Sequence, residues 1–403
     1  MKDFLFSWMS KISGQTYTLA WEEKIFSIFS AGISLFIFLC LFGYLFYKKV
    51  WCDLQARKWG ILTVSILGAI AVGKFIVYRL WKGYISDRIF FFSVPSPKIE
   101  NPMWLFLAIF IFLMFLLFRK IIQKFKTRNF LIIICLIFFS FSSSIAGIRE
   151  GRASIMDPMT RIHWEYTGNI KFIENTRNFL RDYMVLQPKL AVHATNHPPG
   201  NSLLVYYFSK IAGGSFFGIS ILIIFTAGLS VFPLYYLLKN FFDEDIARKL
   251  LQVYIFIQSV VMMAGTSLDA FFVTIVWTSI ALLFIGWNKS VWLSAIGGVA
   301  SGVALFSNYL FLLLTPFFLA VAWYFWIKFG YNDRHKLILR ILISFSSFLL
   351  FFGLLWLWSG YSIIENFIIS RSANSEIVIS NFESIGSYFT FVIMNILAFG
   401  ISL

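Results

Sequence analysis

Residues 130–148 read FLIIICLIFFSFSSSIAGI, a run without a charge. As a helix rising 1.5 Å per residue it matches the roughly 30 Å hydrocarbon core of a bilayer. Its repetition along the chain decides the matter. Of 403 residues, 59% are hydrophobic and 13% charged, whereas a soluble domain carries roughly 25% charged residues. Comparable runs lie near 25–47, 59–80, 103–118, 215–238, 250–266, 269–286, 290–307, 310–328, 341–358 and 386–403. Together they predict an all-α polytopic membrane protein with about 11 transmembrane helices.

The loops between these runs orient the chain. Lys48, Lys49, Arg57 and Lys58 follow the first run, and Arg119, Lys120, Lys124, Lys126 and Arg128 follow the third. Lys239, Arg248, Lys249, Lys289, Lys328, Arg334, Lys336 and Arg340 fall in later loops of the same parity. The positive-inside rule puts that side in the cytoplasm. Segment 149–200 is then outside. The net charge of +15 is spread over these short loops instead of forming one stripe, which argues against nucleic acid as a partner. Phe4, Leu5, Trp8, Met9 and Ile12 share one helical face, so the amino terminus reads as an interfacial helix or as an unstructured end. Cys40, Cys52 and Cys135 show no metal-ligand spacing and read as packing residues.

Segment 149–200 is the one long polar stretch. It holds His163, His193 and His197, three of the four histidines, together with Glu150, Asp157, Glu165, Glu174 and Asp182. Loops of this length are usually functional. Within it, Ile170, Ile173, Leu180 and Met184 recur at helical spacing between Gly168 and Met184. That pattern predicts a helix on the outer membrane surface with one face toward lipid, or a solvated connecting helix. Further on, HATNHPPGNSLLVYY (193–207) sets two histidines before a double proline. The prolines predict an extended corner up to Gly200, with Asn201 or Ser202 capping a helix from about Leu203 to Ile211.

These features, in this order, resemble membrane glycosyltransferases of the GT-C fold that use polyprenyl-phosphate sugars, glycosyltransferase family 39-like enzymes among them. The matching pieces are the span ending near Ile148, HWEYTGNI with Glu165 and Tyr166, NFLRDY with Arg181 and Asp182, and HATNHPPG. GTSLDAFF with Asp269, SNYLF at 307–311 and SGYSIIENF from 359 agree more weakly. Asn169 stands where a second acid is expected. The resemblance implies a GT-C-like core over 129–403 with a large outer first loop containing juxtamembrane helices. Residues 1–128 would supply an interfacial helix and three extra spans. It further implies inverting transfer of a sugar from a polyprenyl-phosphate-linked donor to a glycan, lipid or protein acceptor. The site would lie on the extracytoplasmic side of the cell (plasma or inner) membrane.

Such a transfer needs a base for the acceptor hydroxyl, contacts for the departing phosphate and a place to align the two. Glu165, between Trp164 and Tyr166, is the first candidate base and Asp157 the second. The two aromatic residues are suited to stack on a sugar. Alternatively, Glu165 pairs with Arg161, four residues earlier on a helix, and Asp157 before Pro158 marks a turn. Arg149, Arg152, Arg161 and Arg371, the last placed in the final outer loop, suit a phosphate or simply anchor the interface. His193 and His197 either donate to substrate or fasten the corner. Asp182 belongs to the matched motif. Asp269 caps a span with Ser267, or helps hold a divalent cation, the one cofactor considered. A transporter, or a glycan polymerase or ligase, is the alternative. The uncharged stretch from Ser290 to Trp326 and the absence of a paired repeat weigh against a conduction path.

Overall fold

The structure, a computed structural model, describes residues 101–382. The expected amino-terminal helix and the spans near 25–47, 59–80 and 386–403 lie outside the described residues, as do Cys40 and Cys52. A compact unit covers Ile99–Ser380. Among the described residues every regular element is helical.

The apolar runs become helices because nothing in them interrupts the backbone ladder, and lipid leaves an unpaired peptide group no other partner. α1 (Pro102–Ile122) and α2 (Thr127–Gly147) form a hairpin; α3 (Arg152–Thr160), α4 (Thr176–Arg181), α5 (Tyr183–Leu186) and α6 (Val192–Thr195) lie in the polar segment. α7 (Gly200–Ile211), α8 (Phe216–Gly228), α9 (Val231–Leu238), α10 (Glu244–Tyr254) and α11 (Gln258–Thr266) follow. The chain continues through α12 (Asp269–Lys289), α13 (Val291–Ser307), α14 (Thr315–Lys328), α15 (Arg334–Ser359) and α16 (Ile363–Phe382).

Six helical stretches are long and apolar enough to cross a membrane: α1, α2, Phe216–Leu238, α12, Tyr309–Lys328 and Tyr331–Ser359. This is a multi-pass membrane protein. Of the other two expected spans among the described residues, 250–266 is a helix pair bent by 55° and 290–307 is the shorter α13. The bent pair begins in charge. Asp243 caps α10 through Ile246 N, and Glu244, Asp245, Arg248 and Lys249 follow, so its first turns belong at a membrane boundary.

The two ends of the bundle differ in chemistry. At one end Arg248 donates to the carbonyls of Gln123 and Phe125, each at 2.7 Å, and so closes the α1–α2 turn. There too Lys239 pairs with Glu244 at 3.2 Å. Arg340 donates to the carbonyls of Trp287 and Asn288 at 3.0 and 2.8 Å, covering the carboxyl end of α12.

The polar segment packs onto the opposite end. Tyr166, Ile173, Phe179, Leu180 and Tyr183 join Leu203 and Val205 of α7, Ile219 and Ile223 of α8, Leu268 and Tyr361 in one buried cluster. Arg177 Nε donates to the carbonyl of Trp358 at 2.7 Å. α15 stops there because Gly360 adopts a left-handed conformation, φ 77°, which glycine tolerates best.

The single surface helix expected from 168 to 184 is instead a 3-10 helix (Tyr166–Phe172) followed by α4 and α5. Asn175 breaks it: its side chain accepts from Arg177 N and Asn178 N and starts a new helix. Ile173 and Leu180 are buried in protein and do not face lipid.

Candidate functional site

The candidate site starts with α3. Gly151 (φ 63°) turns the chain out of α2, and Asp157 then accepts from Arg149 Nη2 at 3.1 Å and Arg161 Nη2 at 2.5 Å. Arg149 also meets Glu150 at 3.2 Å. Burial, the largest single influence on Asp157, raises its proton affinity. The hydrogen bonds and charges of the two guanidinium groups outweigh it, so the carboxyl titrates below its ordinary range. The expected Arg161–Glu165 pair is absent, because α3 ends at Thr160 and Arg161 turns back to Asp157.

Glu165 sits where two backbone segments meet. Val192 N donates to the carbonyl of His163 and His193 N to that of Trp164, both at 3.1 Å. This pairing brings His193 Nδ1 to 3.5 Å from Glu165 Oε2, with side chains 48% and 16% exposed. The Glu165 carboxylate beside it is the main cause that raises the His193 pKa, against the opposing effect of burial. Together with Arg161, Ile162, His163 and Trp164, the pair lines an open cavity of about 620 Å³. Trp164 is 53% exposed and lines the cavity.

The other expected aromatic partner is elsewhere. Tyr166 is buried, and its hydroxyl accepts from Asn201 Nδ2 at 3.4 Å. Burial raises its pKa. It is a core residue and not a sugar platform.

The His-Pro-Pro corner differs in detail from its expected form. Pro199 has φ −72° and ψ −10°, a helical conformation, and α7 starts at Gly200 without a side-chain cap. Asn201 and Ser202 lie inside α7 and bond sideways, Ser202 Oγ taking Asn169 Nδ2 at 2.9 Å. Gly200 is there for closeness: an added Cβ would collide with the carbonyl of Phe306 and come within 2.9 Å of Ser307 Cα. His197 borders the Tyr166 ring at 6.5 Å between centroids. Its Nδ1 is buried without a partner, and burial is the main cause that lowers its pKa. The neutral imidazole is therefore favoured, and His197 does not line the cavity.

Six other expected site residues do not line the cavity: Arg149 and Asp157, paired as above, and four more. Arg152 lies 4.6 Å over the Phe217 ring. Asp182 pairs with Arg181 at 2.9 Å in solvent. Arg371, expected in a loop, is exposed on α16. Asp269 opens α12 and accepts from Ser267 Oγ at 2.8 Å, while Ser267 Oγ in turn accepts from Asp269 N. Its field still reaches His193 and His197. Among the described residues no three His, Cys, Asp or Glu side chains gather to hold a metal ion.

Sequence reading missed the residues that hold the site. Asn169, fully buried, donates to Ser202 and accepts from Ala191 N at 2.8 Å. Tyr183 OH donates to the carbonyls of Ala194 and His197 at 3.1 and 2.9 Å. Gln187 Nε2 donates to the carbonyl of Thr195 at 2.7 Å and to Ser370 Oγ at 2.8 Å. Lone amides within apolar stretches, such as Asn366 in IIENFII, were the available signal, since a buried amide must find partners.

The chain matches no family model, no curated protein and no solved structure.

Proposed function

We propose that this protein is an integral membrane glycosyltransferase, moving a sugar from a polyprenyl-phosphate carrier to a hydroxyl of a glycan, lipid or protein acceptor. The cavity carries the reading: it puts a shielded carboxylate, an exposed indole and a guanidinium together at one end of an apolar bundle. Glu165 takes the proton as the acceptor oxygen attacks the anomeric carbon. The carbon–oxygen bond to phosphate breaks with its electron pair on the phosphate, and attack from the opposite face inverts the centre. Trp164 offers its face to a sugar ring. Arg161, 56% exposed, spends Nη2 on Asp157 and keeps further donors for the phosphate.

Asp157 is the weaker base, because two guanidinium groups already hold it. The opposite end of the bundle, with Lys239, Arg248 and Arg340, faces the cytoplasm under the positive-inside rule, so the cavity opens outward. Supplying the reconstituted chain with polyprenyl-phosphate sugars tests the reading. Transfer with inversion, lost when Trp164 and Glu165 are replaced together, supports it. A chain active on no such donor defeats it.

A further inference from the structure

Three observations concern one side chain. Backbone pairing at Val192–His163 and His193–Trp164 fixes the two segments in register. His193 Nδ1 then lies 3.5 Å from Glu165 Oε2, and the carboxylate is 16% exposed against 48% for the imidazole. Both residues line the same cavity. A carboxylate with one oxygen engaged and the other free has a defined direction of proton uptake. An unheld one rotates about its last torsion, which is broad.

We propose that His193 is a positioning residue for Glu165, its Nδ1–H holding Oε2 so that Oε1 faces the cavity and takes the proton of a hydroxyl ligand. The substrate class this assigns to the cavity is a hydroxyl-bearing acceptor, and the inference rests on the glycosyltransferase reading for its chemical step. In that step the ligand O–H bond breaks and an O–H bond forms at Oε1. The imidazole neither gains nor loses a proton, and Oε1 later releases its proton to water through the open cavity. Neutral His193 must therefore be the Nδ1–H tautomer, with Nε2 toward solvent.

The state of His193 then sets the strength of the base. As an imidazolium it sets a positive charge against the group that must take the proton; as a neutral donor it orients Oε2 without that charge. Glu165 and Asp269 favour the imidazolium of His193, against its burial, and a charged His193 in turn disfavours charge on His197. Arg161 and His163 share the cavity wall. Turnover accordingly rises with pH as His193 loses its proton.

The experiment has two arms on the full chain in lipid nanodiscs. In the first, NMR follows the imidazole titrations of the four histidines, assigned by single replacement, before and after Glu165→Gln. The His193 midpoint is expected to move down while that of His163 stays. An unmoved His193 midpoint overturns the proposal whatever the activity. In the second arm, His193→Ala lowers kcat by about 10–100-fold, the size usual for removing an orienting partner, with KM little changed. It also removes the acid limb of the kcat–pH profile. His193→Asn, which keeps an N–H donor, recovers part of kcat without restoring that limb. An unchanged limb in His193→Ala overturns the proposal. A shifted midpoint in a chain that transfers no sugar leaves the pairing standing and defeats only the enzymatic reading.

Discussion

The side-chain amide of Asn366 donates to Gln187 Oε1 at 2.9 Å, joining residues 179 positions apart. The Asn366 carbonyl accepts from Tyr309 OH at 2.5 Å and from Tyr361 OH at 2.9 Å. Gln187 passes the link on to the carbonyl of Thr195, two residues before the His-Pro-Pro corner. Three distant pieces of the chain, SNYLF, SGYSIIENF and the outer segment, thus meet in one buried network. With every member satisfied, it fixes the loop that carries His193 and His197 on the end of the bundle.

Replacing Asn366 by Leu removes the acceptor shared by two tyrosine hydroxyls and the donor to Gln187 Oε1. A loss of about 2–4 kcal/mol is expected, read as a drop in Tm of the purified chain in detergent. Adding Tyr309→Phe and Tyr361→Phe to that variant removes the two hydroxyls that lost this acceptor and recovers part of the loss. Three additive losses would mean that the network does not act as a unit.

Gly200 and Gly353 make a matched pair. Gly200→Ala pushes a methyl group into the Phe306 carbonyl, so α7 and α13 must move apart at a cost of about 1–3 kcal/mol. Gly353→Ala, within α15 and with open space around it, is expected to be neutral or stabilising by up to about 1 kcal/mol. Thermal unfolding of both variants checks the contrast. Equal effects would mean that the corner does not press on α13.

How much of this was legible in the sequence follows from the physics of each part. Spans such as 130–148 were plain because lipid demands long uncharged runs, and α2 (Thr127–Gly147) agrees within a few residues. Of the residues singled out, Glu165, Trp164, Arg161 and His193 line one cavity and the rest, Asp157 and Tyr166 among them, do not. Two kinds of feature were not legible. A capping side chain such as Asn175 overrode a helical period that continued on either side of it. Partner choice was the other: whether Arg161 reaches Asp157 or Glu165 depends on where α3 ends, and spacing allows both. Asn169 looked like a missing acid because its two partners, Ala191 and Ser202, are distant in sequence.

Two titrations carry opposite signs. The folded pKa of Asp157 lies below its ordinary value, so its contribution to stability is present above the unfolded value and lost as pH falls through the folded one. The stability difference between wild type and Asp157→Asn is thus expected to close on the acid side of the ordinary carboxylate range. His193 has its pKa raised. Its contribution is complete below the unfolded imidazole value and lost as pH rises through the folded one. Unfolding midpoints across pH for Asp157→Asn and His193→Ala should separate the two windows. Parallel curves would contradict the assignment.

Trp164 is half exposed, so Trp164→Ala should change stability by no more than about 0.5 kcal/mol. Its expected effect is on binding: a rise in KM of about 3–10-fold for a sugar substrate, the size of one lost aromatic contact. Steady-state kinetics beside a melting curve decide it. A large fall in Tm would make the indole a packing residue instead.

The most direct test compares wild type with Glu165→Gln in sugar transfer from a polyprenyl-phosphate donor in proteoliposomes. The amide keeps the shape and the contact with His193 but cannot take a proton. A fall in kcat of about 100-fold or more, with donor binding retained, is the expected result, given what general bases usually contribute. Turnover by Glu165→Gln equal to that of wild type would contradict a proton-accepting role for Glu165.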